Sequence, residues 1–101
     1  MNKYEVLYII SCDIEEEAIK EIIEKFKGIV TDNGGSILDV DEWGKRRLAY
    51  PIHYKNKSSY ANEGYYVLMH FESKPEFPVE LERNFRINEN ILRFMVTRPE
   101  A

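Results

Sequence analysis

Apolar and polar positions along the chain fall into six segments with two different periods. Tyr4 to Ile10 is a short run of β-branched and aromatic residues, interrupted only by Glu5. It predicts a strand buried on both faces and therefore central in its sheet. Ile14, Ala18, Ile19, Ile22, Ile23, Phe26, Ile29 and Val30 then recur in steps of three and four, the repeat of an amphipathic helix. Asp13 is expected to cap that helix, Glu15, Glu16 and Glu17 suit the positive end of its dipole, and Asn33-Gly34-Gly35 ends it. Ile37 to Tyr54 predicts a long second strand with a bulge or bend at Gly44. Pro51 has no N–H for a ladder, so this strand belongs at an edge.

Lys55 to Asn62 is a polar loop, and Gly64 to Phe71 a third strand. Val67, Met69 and Phe71 share one face of it, and Tyr66, Leu68 and His70 the other. Phe77, Leu81 and Phe85 stand four apart, with Pro78 in the first turn, and predict a short second helix. Ile91 to Thr97 is the last strand, closed by Pro99. The order β-α-β-β-α-β is that of an α+β, ferredoxin-like split βαβ fold. It implies one domain over residues 1–101, a four-stranded antiparallel sheet with two helices on one face. The opposite face has no second layer within the chain and is open to solvent or a partner.

Composition narrows the function. The first residues, with Glu5 inside the first apolar stretch, do not form a signal peptide, and no apolar run approaches a membrane span. Cys12 is the single cysteine, so no internal disulfide forms, and a reduced cytoplasmic setting fits. With only His53 and His70 beside it, no structural metal site is expected. No cofactor motif is present. An enzyme requires convergent polar groups, and none is legible. Cys12 has Asp13 beside it, which disfavours a thiolate. The loop Ser11-Cys12-Asp13 is acidic where small phosphatases of this fold class hold phosphate in a basic loop.

The net charge of -4 opposes nucleic-acid binding, but its distribution does not. From Asp13 to Glu42 there are ten acidic residues and three lysines; from Trp43 to Lys57 there are five basic residues and no acidic ones. From Arg83 to Arg98 there are four arginines against Glu89. Lys45-Arg46-Arg47 supports two readings: charges that keep an edge strand from pairing with other chains, or recognition of phosphate or a partner. Gly64-Tyr65-Tyr66-Val67-Leu68 is a poor match to the stacking strand of an RNA-recognition motif, since Glu63 stands where a basic residue belongs. Arg83, Arg86, Arg93 and Arg98, with Lys3 near them and Tyr4 as a stacking surface, form either a cationic patch or a scatter of surface arginines.

Gly44-Lys45-Arg46-Arg47-Leu48-Ala49-Tyr50-Pro51-Ile52 resembles the signature of the sixth protein of the bacterial small ribosomal subunit. The resemblance extends over nearly the whole chain, through Tyr4-Glu5-Val6, Asn33-Gly34-Gly35, Gly64-Tyr65-Tyr66, Arg86-Ile87 and Asn88 to Met95. It implies a non-enzymatic component of the small subunit. It also implies binding to the central domain of small-subunit ribosomal RNA, as a heterodimer with the eighteenth small-subunit protein. Carried onto this sequence, it puts Lys3, Tyr4, Arg86 and Arg93 toward RNA and Trp43, Lys45, Arg46, Arg47 and Tyr50 toward the protein partner. His53 and Leu92 depart from residues common in the family, the loop Tyr54 to Glu63 is longer than in its short members, and no long tail follows Pro99. The alternative is a ferredoxin-like interaction or regulatory module that dimerises or binds a small ligand through its open sheet face. The negative total charge leads to the expectation that tight RNA binding needs positive charge from the partner.

Overall fold

The computed structural model describes residues 1–98; the expected closing role of Pro99 lies outside them. The elements are β1 (Asn2–Ser11), α1 (Glu16–Asp32), β2 (Ser36–His53), β3 (Tyr60–Ser73), α2 (Phe77–Ile87) and β4 (Ile91–Thr97). The strands form one antiparallel sheet in the order β2-β3-β1-β4. This is the β-α-β-β-α-β fold expected from the order of periods, with β1 central and β2 at an edge.

The alternation of β1 puts Tyr4, Val6, Tyr8 and Ile10 in the core, where they meet Ile19, Ile23, Phe26 and Val30 of α1 and Phe77, Leu81 and Phe85 of α2. Val67, Met69 and Phe71 join them from β3, as period two requires. The other face of β1 is only half-buried at Glu5, Leu7 and Ile9, so the strand is not covered on both sides as its composition suggests. An apolar run reads as doubly buried even where the second layer is thin.

Helix α1 begins two residues later than a cap at Asp13 predicts. Glu15 occupies the cap position with extended backbone and makes no side-chain cap bond. Asp13 is engaged elsewhere: its backbone N–H donates to Ser11 Oγ at 3.1 Å, and its carboxylate pairs with Lys57 on the β2–β3 loop. At the other end the expected glycine turn is present, with Gly34 at φ 85° and the Gly35 N–H donating to the Val30 carbonyl at 2.9 Å.

Strand β2 is more irregular than one bend at Gly44 implies. Its register against β3 shifts between Ile37 and Asp39, between Glu42 and Gly44, and between Arg47 and Ile52. Gly44 has φ 86°, a conformation that costs any L side chain about 1 kcal/mol or more. In the last shift Leu48, Ala49, Tyr50 and Pro51 leave the ladder together, which removes the need for an N–H at Pro51. This excursion lays Leu48 and Ile52 into a second small cluster with Ala61 and Leu92, against Ile9, Tyr54 and Tyr66. The face opposite the helices therefore carries a partial second layer at one end, where none was expected.

Candidate functional site

Residues opposite each other in an antiparallel ladder point to the same side of the sheet. Arg46 lies opposite Gly64, on the face carrying Tyr66, Leu68 and His70. Lys45 lies opposite Tyr65 and Arg47 opposite Glu63, on the side of the helices. The five signature residues expected to face one partner are thus divided between two surfaces. Trp43, Arg46 and Tyr50 belong to the open face: the Trp43 ring stacks on Tyr66 with centroids 6.0 Å apart, and the Arg46 guanidinium lies 5.3 Å above Trp43. Lys45 and Arg47 line a polar recess with Cys12 and Asp13 instead.

The open face holds an apolar groove of about 330 Å³, lined by Leu7, Ile9, Leu48, Tyr50, Tyr66 and Met95 among others. Tyr50 and Met95 remain about 60% exposed there, at 63% and 60%. The groove floor depends on Gly64, because a Cβ at that position would lie 2.2 Å from Ile9 Cγ2. Farther along the same face the surface turns acidic. His70 Nε2 lies 2.9 Å from Glu5, with Asp39 opposite His70 and Asp41 opposite Leu68 on β2. Phosphate is repelled from that end.

The four residues expected at RNA do not form one patch. Tyr4 is 7% exposed and its ring stacks on Phe71 at 5.6 Å inside the core, so the stacking role expected of it has no free ring face to act through. Alternation within β1 turns Tyr4 toward the helices, a phase that its sequence context does not reveal. Lys3 is exposed at the start of β1, beside Glu72 of β3. Arg93 lies at the other end, opposite Ile9, and lines the groove. Arg86 ends α2 with its guanidinium 5.7 Å above the Phe94 ring. The glycine-aromatic pair of β3 is also split, with Tyr66 on the open face and Tyr65 against the core, where its hydroxyl donates to Glu42 at 2.8 Å. That bond to a carboxylate pushes the Tyr65 pKa up to about 12.

One functional residue has no signal in the local sequence. Lys55 Nζ donates to the carbonyls of Phe85, Arg86 and Asn88 at 3.1, 3.1 and 3.0 Å. The last carbonyls of a helix lack partners within it and carry the negative end of its dipole, so an ammonium there satisfies both. Burial, and then the nearby Arg86, pull the Lys55 pKa below the usual lysine value. The β2–β3 loop is thereby tied to the end of α2. Lys55→Met is expected to cost about 1–2 kcal/mol in urea denaturation and to raise amide exchange in residues 54–59 selectively. Unchanged exchange in that loop would show that the tether does not order it.

Cys12, on the connection between β1 and α1, is half-buried, and burial pushes its thiol pKa up, with Lys45 opposing and Glu63 adding.

The family model for ribosomal protein S6 matches residues 3–98. The small ribosomal subunit protein bS6 of Clostridium novyi is 53% identical over 100 residues, 99% of each chain. That of Caldanaerobacter subterraneus subsp. tengcongensis is 47% identical over the same share of both. The chain belongs to the ribosomal protein S6 family. The crystal structure of the family member from Thermotoga maritima superposes with a TM-score of 0.83 at 30% identity, covering 96% of this chain and 86% of that one. Family membership makes the protein a structural, non-enzymatic component of the small ribosomal subunit, at work in the cytoplasm. The alternative of a free-standing regulatory module is set aside on the same ground.

Proposed function

We propose that the protein binds the central domain of small-subunit ribosomal RNA as a pair with the eighteenth small-subunit protein. The partner occupies the open sheet face, and RNA runs past the end of the molecule where Arg86 and Arg93 lie. The observation that carries this is the apolar groove with exposed Tyr50 and Met95 on a chain of net charge -4. Such a groove suits a protein, and a chain so charged gains phosphate affinity from a cationic companion. Trp43, Arg46 and Tyr50 belong to the partner surface, and the acidic stretch at Glu5, Asp39 and Asp41 suits basic side chains of that partner. Lys3, at the far end of β1, lies outside this RNA surface.

Charge reversal tests the RNA surface. The double variant Arg86→Glu, Arg93→Glu is expected to keep its fold. In complex with the partner it should lose affinity for the central-domain RNA and flatten the plot of log K against log salt by about two units. Unchanged assembly on the RNA would sink the placement of RNA at these arginines. Comparable RNA affinity with and without the partner at one salt concentration would rule out the requirement for its charge.

A further inference from the structure

The division of the signature strand leaves two of its cations away from the open face. Lys45 and Arg47 line a polar recess of about 370 Å³ with Tyr54, Tyr60, Asn62 and Glu63. Its far wall is Cys12 and Asp13. The loop that closes it, from His53 to Tyr60, carries three rings, His53, Tyr54 and Tyr60, and two cations, Lys55 and Lys57. Tyr60 is 59% exposed and meets His53 edge-on with ring centroids 4.9 Å apart. Lys57 lies 4.4 Å above the Tyr54 ring. The loop is held in place from below, since Lys55 is bonded to three carbonyls at the end of α2.

Charges at the recess are unevenly spent. Lys45 pairs with Glu63 at 3.3 Å and Lys57 with Asp13. Arg47 has no carboxylate partner among the described residues. The two pairs are exposed to solvent, which screens them, so an incoming phosphate competes readily for their cations. An exposed phenol ring, an amide and an unpaired guanidinium are the groups that bind an unpaired nucleotide: stacking for the base, a planar fork for the phosphate. A protein partner prefers the opposite, an apolar centre poor in charge, and the molecule already has one on its other face.

Resting on the RNA-binding role put forward above, we propose that this recess is a second RNA contact, one that holds a single-stranded nucleotide of ribosomal RNA. Its base stacks on Tyr60, and its phosphate is met by Arg47 with Lys45 and Lys57 beside it. The site lies at the same end as Arg86, to which Lys55 is directly bonded, so one RNA segment can pass both.

The test measures binding of the full chain, together with the eighteenth small-subunit protein, to central-domain RNA at several salt concentrations. Tyr60→Ala is expected to weaken binding about tenfold without changing the salt slope, and Tyr60→Phe to restore it. Arg47→Gln is expected to reduce the salt slope by about one. Both residues are at the surface, and circular dichroism melts confirm that the variants fold. If the wild-type complex binds RNA and both variants match it, the recess contact is overturned while the RNA-binding role stands. If the wild-type complex does not bind RNA, both fall. If the variants weaken association with the protein partner instead, the recess is a protein site and the proposal is wrong.

Discussion

Phe85→Ala is expected to destabilise the protein by about 3–5 kcal/mol, the range for emptying an aromatic position in a packed core. Phe85 is fully buried, and its ring stands 4.2 Å from Phe26, 4.8 Å from Tyr8 and 5.4 Å from Phe94. It joins both helices to β1 and β4 at once, so no single element can move in to fill the space. The Tyr8 hydroxyl beside it is buried with no hydrogen-bond partner among the described residues, and burial pushes its pKa far up. Opening the cluster relieves that group only slightly, by admitting water. Domains of this size have about 5–15 kcal/mol in all, so the variant should retain little margin at 37 °C. In urea the midpoint should fall by roughly 2 M with the slope unchanged. A loss under about 1.5 kcal/mol would mean that the aromatic cluster is not the centre of the core.

Met95→Lys is expected to leave the fold intact and to weaken binding of the eighteenth small-subunit protein at least a hundredfold. Met95 is opposite Leu7 and lines the apolar groove, yet it is 60% exposed, so lysine is solvated in the free protein. In the proposed complex the ammonium is taken from water with no carboxylate in the groove to meet it, which costs several kcal/mol, about what a central anchor residue contributes. Val79→Lys, on the exposed side of α2, is the matched control for added charge. Isothermal titration with the purified partner reads both. A change under threefold for Met95→Lys would place the partner elsewhere than on the open face.

The framework of the molecule was legible because it rests on short-range patterns. Period two in Val67, Met69 and Phe71, and the four-residue spacing of Phe77, Leu81 and Phe85, each assigned the buried face correctly. Pro51 placed β2 at an edge for a backbone reason, the missing N–H, that needs no knowledge of neighbours. Where local rules failed, a distant group had taken over. Asp13 was free to cap α1 until Lys57, 44 residues on, claimed its carboxylate. Lys55 caps α2 across 30 residues, a partnership that no local spacing encodes.

The candidate surfaces divide along the same line. Residue types and the nine-residue run from Gly44 to Ile52 were enough to identify the family and the ribosomal role. They could not say which way each side chain of that run points. Each of the three register shifts in β2 advances the strand by one or more residues relative to β3, and every such step changes the phase of a two-residue repeat. Only the assembled sheet shows that Trp43, Arg46 and Tyr50 reach the apolar face while Lys45 and Arg47 open on a polar recess, and that Tyr4 is turned inward. Composition and period act within a few residues of chain; the direction of a side chain on a bulged edge strand depends on pairing with residues some twenty positions away.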